Sequence, residues 1–431
     1  MMPTNRFERQ LPALLTELAE PRTPDYLDDL LRQTANSSQR PAWSFLERWL
    51  PMVDIARRPV LVSRLPWRTI GVGLVLMALL VALVAALVAG GRTSLPLPFG
   101  PARNGLVAYA SAGDIYTVDP ATGQSTAIVR GPQTDINPRW SRDGTRLAFE
   151  RKIDGDAGPG LLYVARADGS GLIQVTPEPV SGINDYAFSP NGKQILISAS
   201  ALGVDQVLIV ATDGSQIRRL ELPGPATNAA WRPPDGSEIL FMDAGSESNG
   251  YGSIYAVSVE GGTVRTILER TAGRYRGYPM WSPDGSRIAY IEWIASDNVT
   301  AQTHIIAADG TADRILPNPP DAVWQAARGW SNDGTRLLAI RGYTNLYQNT
   351  RAVAIPADGS GVGREIQYPG AIQAACCSVW EWAPDDSSIL GAPTSATGAL
   401  LAQVLLDPVA GTSRTLPWTS VSEPSWQRLA P

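Results

Sequence analysis

The feature that most constrains this chain is a phrase that recurs along its C-terminal three quarters. Residues 279–290 read PMWSPDGSRIAY, and variants occur as PRWSRDGTRLAF from 138, DYAFSPNGKQILI from 185, AAWRPPDGSEILF from 229, ARGWSNDGTRLLA from 327 and VWEWAPDDSSILG from 379, with a shortened PSWQRLA from 424. The aromatic marks are Trp140, Phe188, Trp231, Trp281, Trp330, Trp382 and Trp426, at intervals of 48, 43, 50, 49, 52 and 44 residues. A repeat of this length is one supersecondary unit that cannot bury its apolar surface alone, so neighbouring units must stack.

Five of the six complete copies place Asp-Gly or Asn-Gly between two short apolar runs: Asp143-Gly144, Asn191-Gly192, Asp235-Gly236, Asp284-Gly285 and Asp333-Gly334. That pair is the strongest short-range hairpin signal, and it predicts a type I′ turn with both residues at positive φ. The sixth copy has Asp385-Asp386, a poorer turn former. A second turn follows each phrase, as in YVARADG, LIVATDG and HIIAADG. Each unit therefore reads as four antiparallel strands, the signature of a propeller blade. Residues 105–130 supply three such strands without the tryptophan strand, and PSWQRLA supplies that strand alone. The expected fold is all-β, a seven-bladed β-propeller whose ring is closed by N- and C-terminal strands sharing one blade; six or eight blades are the alternatives.

The pattern W-S-P-D-G-x-x-[IL]-[AL], followed by I-Y-x-x-D/A-D-G, resembles the propeller repeats of the TolB family and of prolyl-oligopeptidase propellers. The seven units depart from the six blades of TolB itself, so the resemblance implies a fold rather than a set of partners.

Ahead of the repeats, residues 69–91 (TIGVGLVLMALLVALVAALVAGG) hold no charge over 23 positions. As a helix they would span roughly 34 Å, enough for a bilayer core of about 30 Å. A transmembrane helix is expected here. Arg57, Arg58, Arg64 and Arg68 precede it, and only Arg92 and Arg103 follow closely. The positive-inside rule then places residues 1–68 in the cytoplasm and the propeller outside the cell membrane. Residues 92–104 read as a Gly/Pro-rich linker and 105–431 as the propeller. Residues 1–68 carry stripes such as Phe7, Leu11, Leu14, Leu15 and Leu18, expected to form a short helical segment. This layout is similar to that of membrane-anchored anti-sigma regulators, which would make a sigma factor the cytoplasmic partner. It departs from their zinc-containing group, since the segment has no His or Cys.

Charge separates the two parts. Residues 1–68 have 10 Arg and 8 acidic residues, while residues 92–431 are acidic with 26 basic and 33 acidic side chains. No dense basic face is available for nucleic acid.

Chemistry is sparse. The single histidine, His304, occupies a strand position held elsewhere by Tyr163 or Tyr255, and reads as structural. No G-x-S-x-G nucleophile elbow occurs, the usual zinc ligands are missing, and Asp154 with Asp156 lacks the further acids of a calcium loop. No cofactor or metal is expected. The adjacent Cys376 and Cys377 have no other intrachain partner; they form a vicinal disulfide, stay reduced, or bridge two molecules.

The loops opposite the Asp-Gly turns are longer and more varied, and they concentrate Tyr, Trp and Arg, the residue types that anchor interfaces. Arg274, Tyr275, Arg276, Trp293, Trp324, Tyr343 and Tyr347 are the candidate ligand- or partner-binding residues on that face. The function expected from sequence is a membrane-anchored, non-enzymatic binding module with a protein partner on the long-loop face. The alternatives are the sensor of an anti-sigma-like regulator and a propeller enzyme of the lyase or lactonase type.

Overall fold

Apolar residues alternating with period two commit each half of the repeat to a strand, and the strands pair in chain order. The computed structural model describes residues 73, 77 and 99–430, apart from 154–158, 177, 179, 181, 202–203, 244–251, 295–299, 345–349, 368–378 and 393–401. The chain divides into two compact units, Met1–Leu87 and Val88–Pro431. Of the first unit, Gly73 and Met77 are described; both are helical and exposed. No described helix is long and apolar enough to cross a membrane, and the expected span 69–91 lies almost wholly outside the described residues.

The second unit contains seven four-stranded antiparallel sheets among the described residues. Blade 1 runs from Thr134–Trp140, its innermost strand, through Arg146–Lys152 and Gly160–Arg166 to Ile173–Gln174 at the rim. Blades 2 to 6 repeat this order over residues 183–219, 226–268, 274–315, 324–366 and 379–415. In blade 7, Ser425–Leu429 is the inner strand and pairs with Arg103–Ser111, followed by Asp114–Val118 and Ser125–Val129. Val107 lies opposite Trp426 and Ala108 opposite Ser425, so the last strand closes the first sheet as the sequence predicts.

Apolar clusters join each blade to the next. Ala108, Ile115 and Val129 of blade 7 pack on Trp140, Leu147 and Phe149 of blade 1. Leu390, Leu416 and Trp418 of blade 6 pack on Val107, Tyr109 and Trp426 of blade 7. Equivalent clusters fill the other five junctions, so the ring has no open edge.

The tryptophan of the phrase is a joint between blades. The Trp231 indole N–H donates to the Ala187 carbonyl of blade 2 at 3.0 Å, and that of Trp330 to the Met280 carbonyl of blade 4 at 3.2 Å. The arginine six residues beyond the mark in one blade covers the tryptophan of the next: the Arg287 guanidinium lies 4.8 Å from the Trp330 ring, and Arg336 4.8 Å from Trp382.

The turn geometry corrects the type I′ expectation. Gly144 and Gly285 have φ of 69° and 68°, whereas Asp143 and Asp284 are not left-handed. Instead the Asp143 carboxylate accepts from Ser141 Oγ at 2.6 Å and from the Thr145 N–H at 3.0 Å, closing a longer loop from the side-chain end. A Cβ on Gly144 would meet the Arg428 carbonyl at 2.1 Å, because this turn packs against the neighbouring blade. In blade 6 Asp386 takes the glycine's place at φ 60°. Its carboxylate accepts from the Asn332 and Asp333 backbone N–H groups of blade 5 at 2.7 and 2.8 Å.

Three residues before the aromatic mark, the inner strands bulge. Asn137, Asn228 and Tyr278 take φ of 54°, 53° and 54°, and pairing slips at that point in blades 1, 3 and 4. A bulge re-aims the side chains beside it. Here Arg139, Asn228, Ala230, Tyr278 and Met280, at or beside the bulges, line the central channel.

Candidate active site

The tryptophan ends of the inner strands surround a cavity of about 550 Å³ on the ring axis. Two positions of the phrase recur in its wall: the residue before the aromatic mark and the second residue after it. Blades 2, 3 and 4 present Ala187, Ala230 and Met280 at the first, and blades 3 and 4 present Pro233 and Pro283 at the second. Blades 6, 7 and 1 differ. Blade 1 presents Arg139 and Arg142, blade 6 Glu381, and blade 7 Arg428, so the charge gathers on three consecutive blades.

Glu381 accepts the Trp426 backbone N–H at 2.8 Å. It is partly open to the lumen but ringed by protein, and this enclosure raises its carboxyl to about 7, against the pull of Arg139, the Trp426 N–H, Arg142 and Arg428. Arg428 donates to Asn332 Oδ1 at 2.7 Å and to the Gly100 carbonyl; burial and then Arg142 lower it to about 10. Arg142 is likewise lowered by enclosure, opposed by Glu381, and its guanidinium stacks 4.6 Å from the Phe99 ring. Arg139 pairs with Glu423 and lies 3.8 Å from Asp185. Burial raises the Tyr186 phenol, which donates to the Asn137 carbonyl.

The opposite wall has its own cation. Tyr278, at 50% exposure, turns its ring under the Arg328 guanidinium at 5.3 Å. The lumen thus holds Arg139, Arg142, Arg328 and Arg428 against Asp185 and Glu381, in a chain of formal net charge −5. Such a cleft concentrates anions. A carboxyl that titrates near neutrality beside guanidinium groups can hold or release a proton while they bind a carboxylate.

Among the described residues no three of His, Cys, Asp and Glu are placed to hold a metal ion. His304 is 3% exposed, with Nδ1 3.0 Å from Asp313 and 3.1 Å from the Tyr290 hydroxyl, deep in blade 4.

The residues predicted from the long loops lie elsewhere. Arg274, Tyr275 and Arg276 begin the inner strand of blade 4, at the end away from Trp281, and Tyr275 pairs across the sheet with Trp293. The structure corrects the reading of Arg276 and Trp324 as exposed anchors. Arg276 is 7% exposed and bonds Glu292 at 2.9 Å, because a buried guanidinium needs a counter-charge; Trp324 is 4% exposed, in the core with Leu338 and Trp382. Arg274 also pairs with Glu292, Trp293 packs beside Trp324, and the Tyr343 hydroxyl donates to Glu365. Tyr347, Cys376, Cys377, Asp154 and Asp156 lie outside the described residues. The channel residues were overlooked because the repeat was read as scaffold. Their signal was departure from it: Arg142 and Arg428 stand where four copies have proline and blade 5 has Asn332, and Glu381 and Arg139 where the other copies have alanine, methionine, glycine or serine.

Comparison with known proteins agrees on the fold. Residues 179–339 match the model of the TolB beta propeller domain. The uncharacterized peptidase YuxL of Bacillus subtilis is 33% identical over 87 residues, 20% of this chain and 13% of that protein. Dipeptidyl-peptidase 5 of Porphyromonas endodontalis is 37% identical over 73 residues, 17% of this chain and 10% of that protein. The chain therefore spans a small part of the length of the curated relatives it matches. An oligogalacturonate lyase, solved in complex with manganese, superposes with a TM-score of 0.54 at 16% identity, covering 74% of this chain and 85% of that one. The two curated relatives are peptidases, which corrects the expectation of a non-enzymatic binding module; the enzyme alternative fits them better.

Proposed function

We propose that the propeller is the body of an enzyme that moves a proton on an acidic, carboxylate-bearing substrate held in the central channel, a lyase of the uronate class. The observation that carries this reading is the wall of blades 6, 7 and 1, where a carboxyl raised to about 7 sits among Arg139, Arg142 and Arg428. The substrate carboxylate docks on Arg142, with Arg428 beside it. Ionised Glu381 takes the proton from the carbon next to that carboxylate, and the guanidinium groups stabilise the charge that moves toward the carboxylate oxygens. The electron pair then forms a carbon–carbon double bond as the bond to the β-oxygen breaks. The leaving oxygen departs with its pair and takes a proton from solvent.

The test is incubation of the full chain with oligouronides, following the absorbance of the unsaturated product. Turnover that falls by about 10²-fold or more in Glu381→Gln is expected. Absence of unsaturated product from any acidic oligosaccharide overturns the reading.

A second reading is favoured by the two peptidase relatives: the channel admits peptides, and Arg142 holds their terminal carboxylate. Peptide cleavage followed by mass spectrometry separates the two. In either case the apolar run 69–91 anchors the propeller to the cell membrane, with residues 1–68 on the cytoplasmic side.

A further inference from the structure

The channel has a second feature that a single acidic group does not use. Blade 4 is three steps from blade 7 and three from blade 1 around the seven-membered ring, so Tyr278 stands across the lumen from Arg142 and Arg428. Tyr278 is held in the left-handed region at φ 54°, where a bulky residue is rare, while the corresponding positions of blades 1 and 3 carry Asn137 and Asn228. Its ring is half exposed inside a cavity where six of the seven aromatic marks are buried in the blade joints and Trp330 is partly buried. Arg328 of blade 5 lies against that ring, makes no ion pair among the described residues, and its Nε has no hydrogen-bond partner.

We propose that Tyr278 and Arg328 form a second subsite, which receives the next acidic unit of an oligomeric substrate. This rests on the proposed uronate reading. The flat apolar face of a sugar ring packs on the exposed part of Tyr278, and the second carboxylate reaches the Arg328 guanidinium. The cavity of about 550 Å³ fits a ligand of more than one sugar ring. The two walls together therefore select an oligomer with successive acid groups over a single acid or a neutral sugar.

Calorimetric titration of the full chain with galacturonate, digalacturonate and a neutral disaccharide tests this. Wild type is expected to bind the dimer about tenfold or more tighter than the monomer, as one charge-assisted contact allows, and the neutral sugar least. Arg328→Gln and Tyr278→Asn should abolish that gain and weaken the monomer far less than the dimer; asparagine already holds this backbone conformation at 137 and 228. Arg142→Ala should weaken monomer and dimer alike. If the dimer keeps its advantage in Arg328→Gln and Tyr278→Asn, the second subsite is wrong, while an intact Arg142 dependence leaves the first-wall reading standing. If wild type binds neither acid, both fall.

Discussion

Blades 3 and 1 are written in almost the same phrase, AAWRPPDGSEILF against PRWSRDGTRLAF, yet they present opposite walls to the channel. Blade 3 shows it Ala230 and Pro233; blade 1 shows it Arg139 and Arg142. Both bury their tryptophan and set a left-handed glycine in the following turn, although blade 3 closes its loop over one more residue, and the difference in charge falls at positions that face the channel. A ring of repeats separates the two tasks: joints between blades fix the scaffold, and the axis-facing positions carry the chemistry.

The comparison breaks most readily at its joints. Deleting residues 421–431 strips blade 7 of its inner strand and opens an edge, and is expected to abolish cooperative thermal unfolding of the propeller. An unchanged melt would refute the shared blade. Trp231→Ala, at a joint of the uncharged wall, should cost about 3–5 kcal/mol in chemical denaturation. It should leave the pH dependence of stability intact.

Glu381→Gln should do the reverse. The folded carboxyl is raised from 4.5 to about 7, so between these values the folded state binds more protons than the unfolded state. Stability contributed by the neutral form is present at low pH and is lost as pH rises through that window. Melting temperatures of wild type should fall from pH 4.5 to 7 relative to Glu381→Gln, and the difference should vanish if Glu381 titrates normally. The smallest effect concerns an outlying contact: Arg287→Ala, removing the cation over Trp330, should cost about 1 kcal/mol and leave channel binding unaltered.

Much of the scaffold was legible in the sequence because period-two apolar runs, turn pairs and a recurrent tryptophan all specify one blade. The shared blade was legible for the same reason, since PSWQRLA lacks exactly what residues 105–130 supply. The turn type was not, because Ser141 and Asp143 close it through side-chain bonds that an Asp-Gly pair alone does not announce. The loop residues misled for a physical reason: Tyr, Trp and Arg anchor interfaces, but they also fill cores and buried ion pairs, as Trp324 and Arg276 do. Burial distinguishes these uses and composition does not. The site lay in single-residue breaks of the repeat, which become one cluster once the chain closes and sets blades 6, 7 and 1 side by side.

The most direct test of the central claim is the titration of the Glu381 carboxyl itself, by infrared difference spectroscopy of the full chain, wild type minus Glu381→Gln. The predicted midpoint is about 7, rising further when galacturonate neutralises the neighbouring guanidinium groups. A midpoint in the ordinary carboxylate range, indifferent to the added acid, would contradict a proton-transferring carboxyl in this channel.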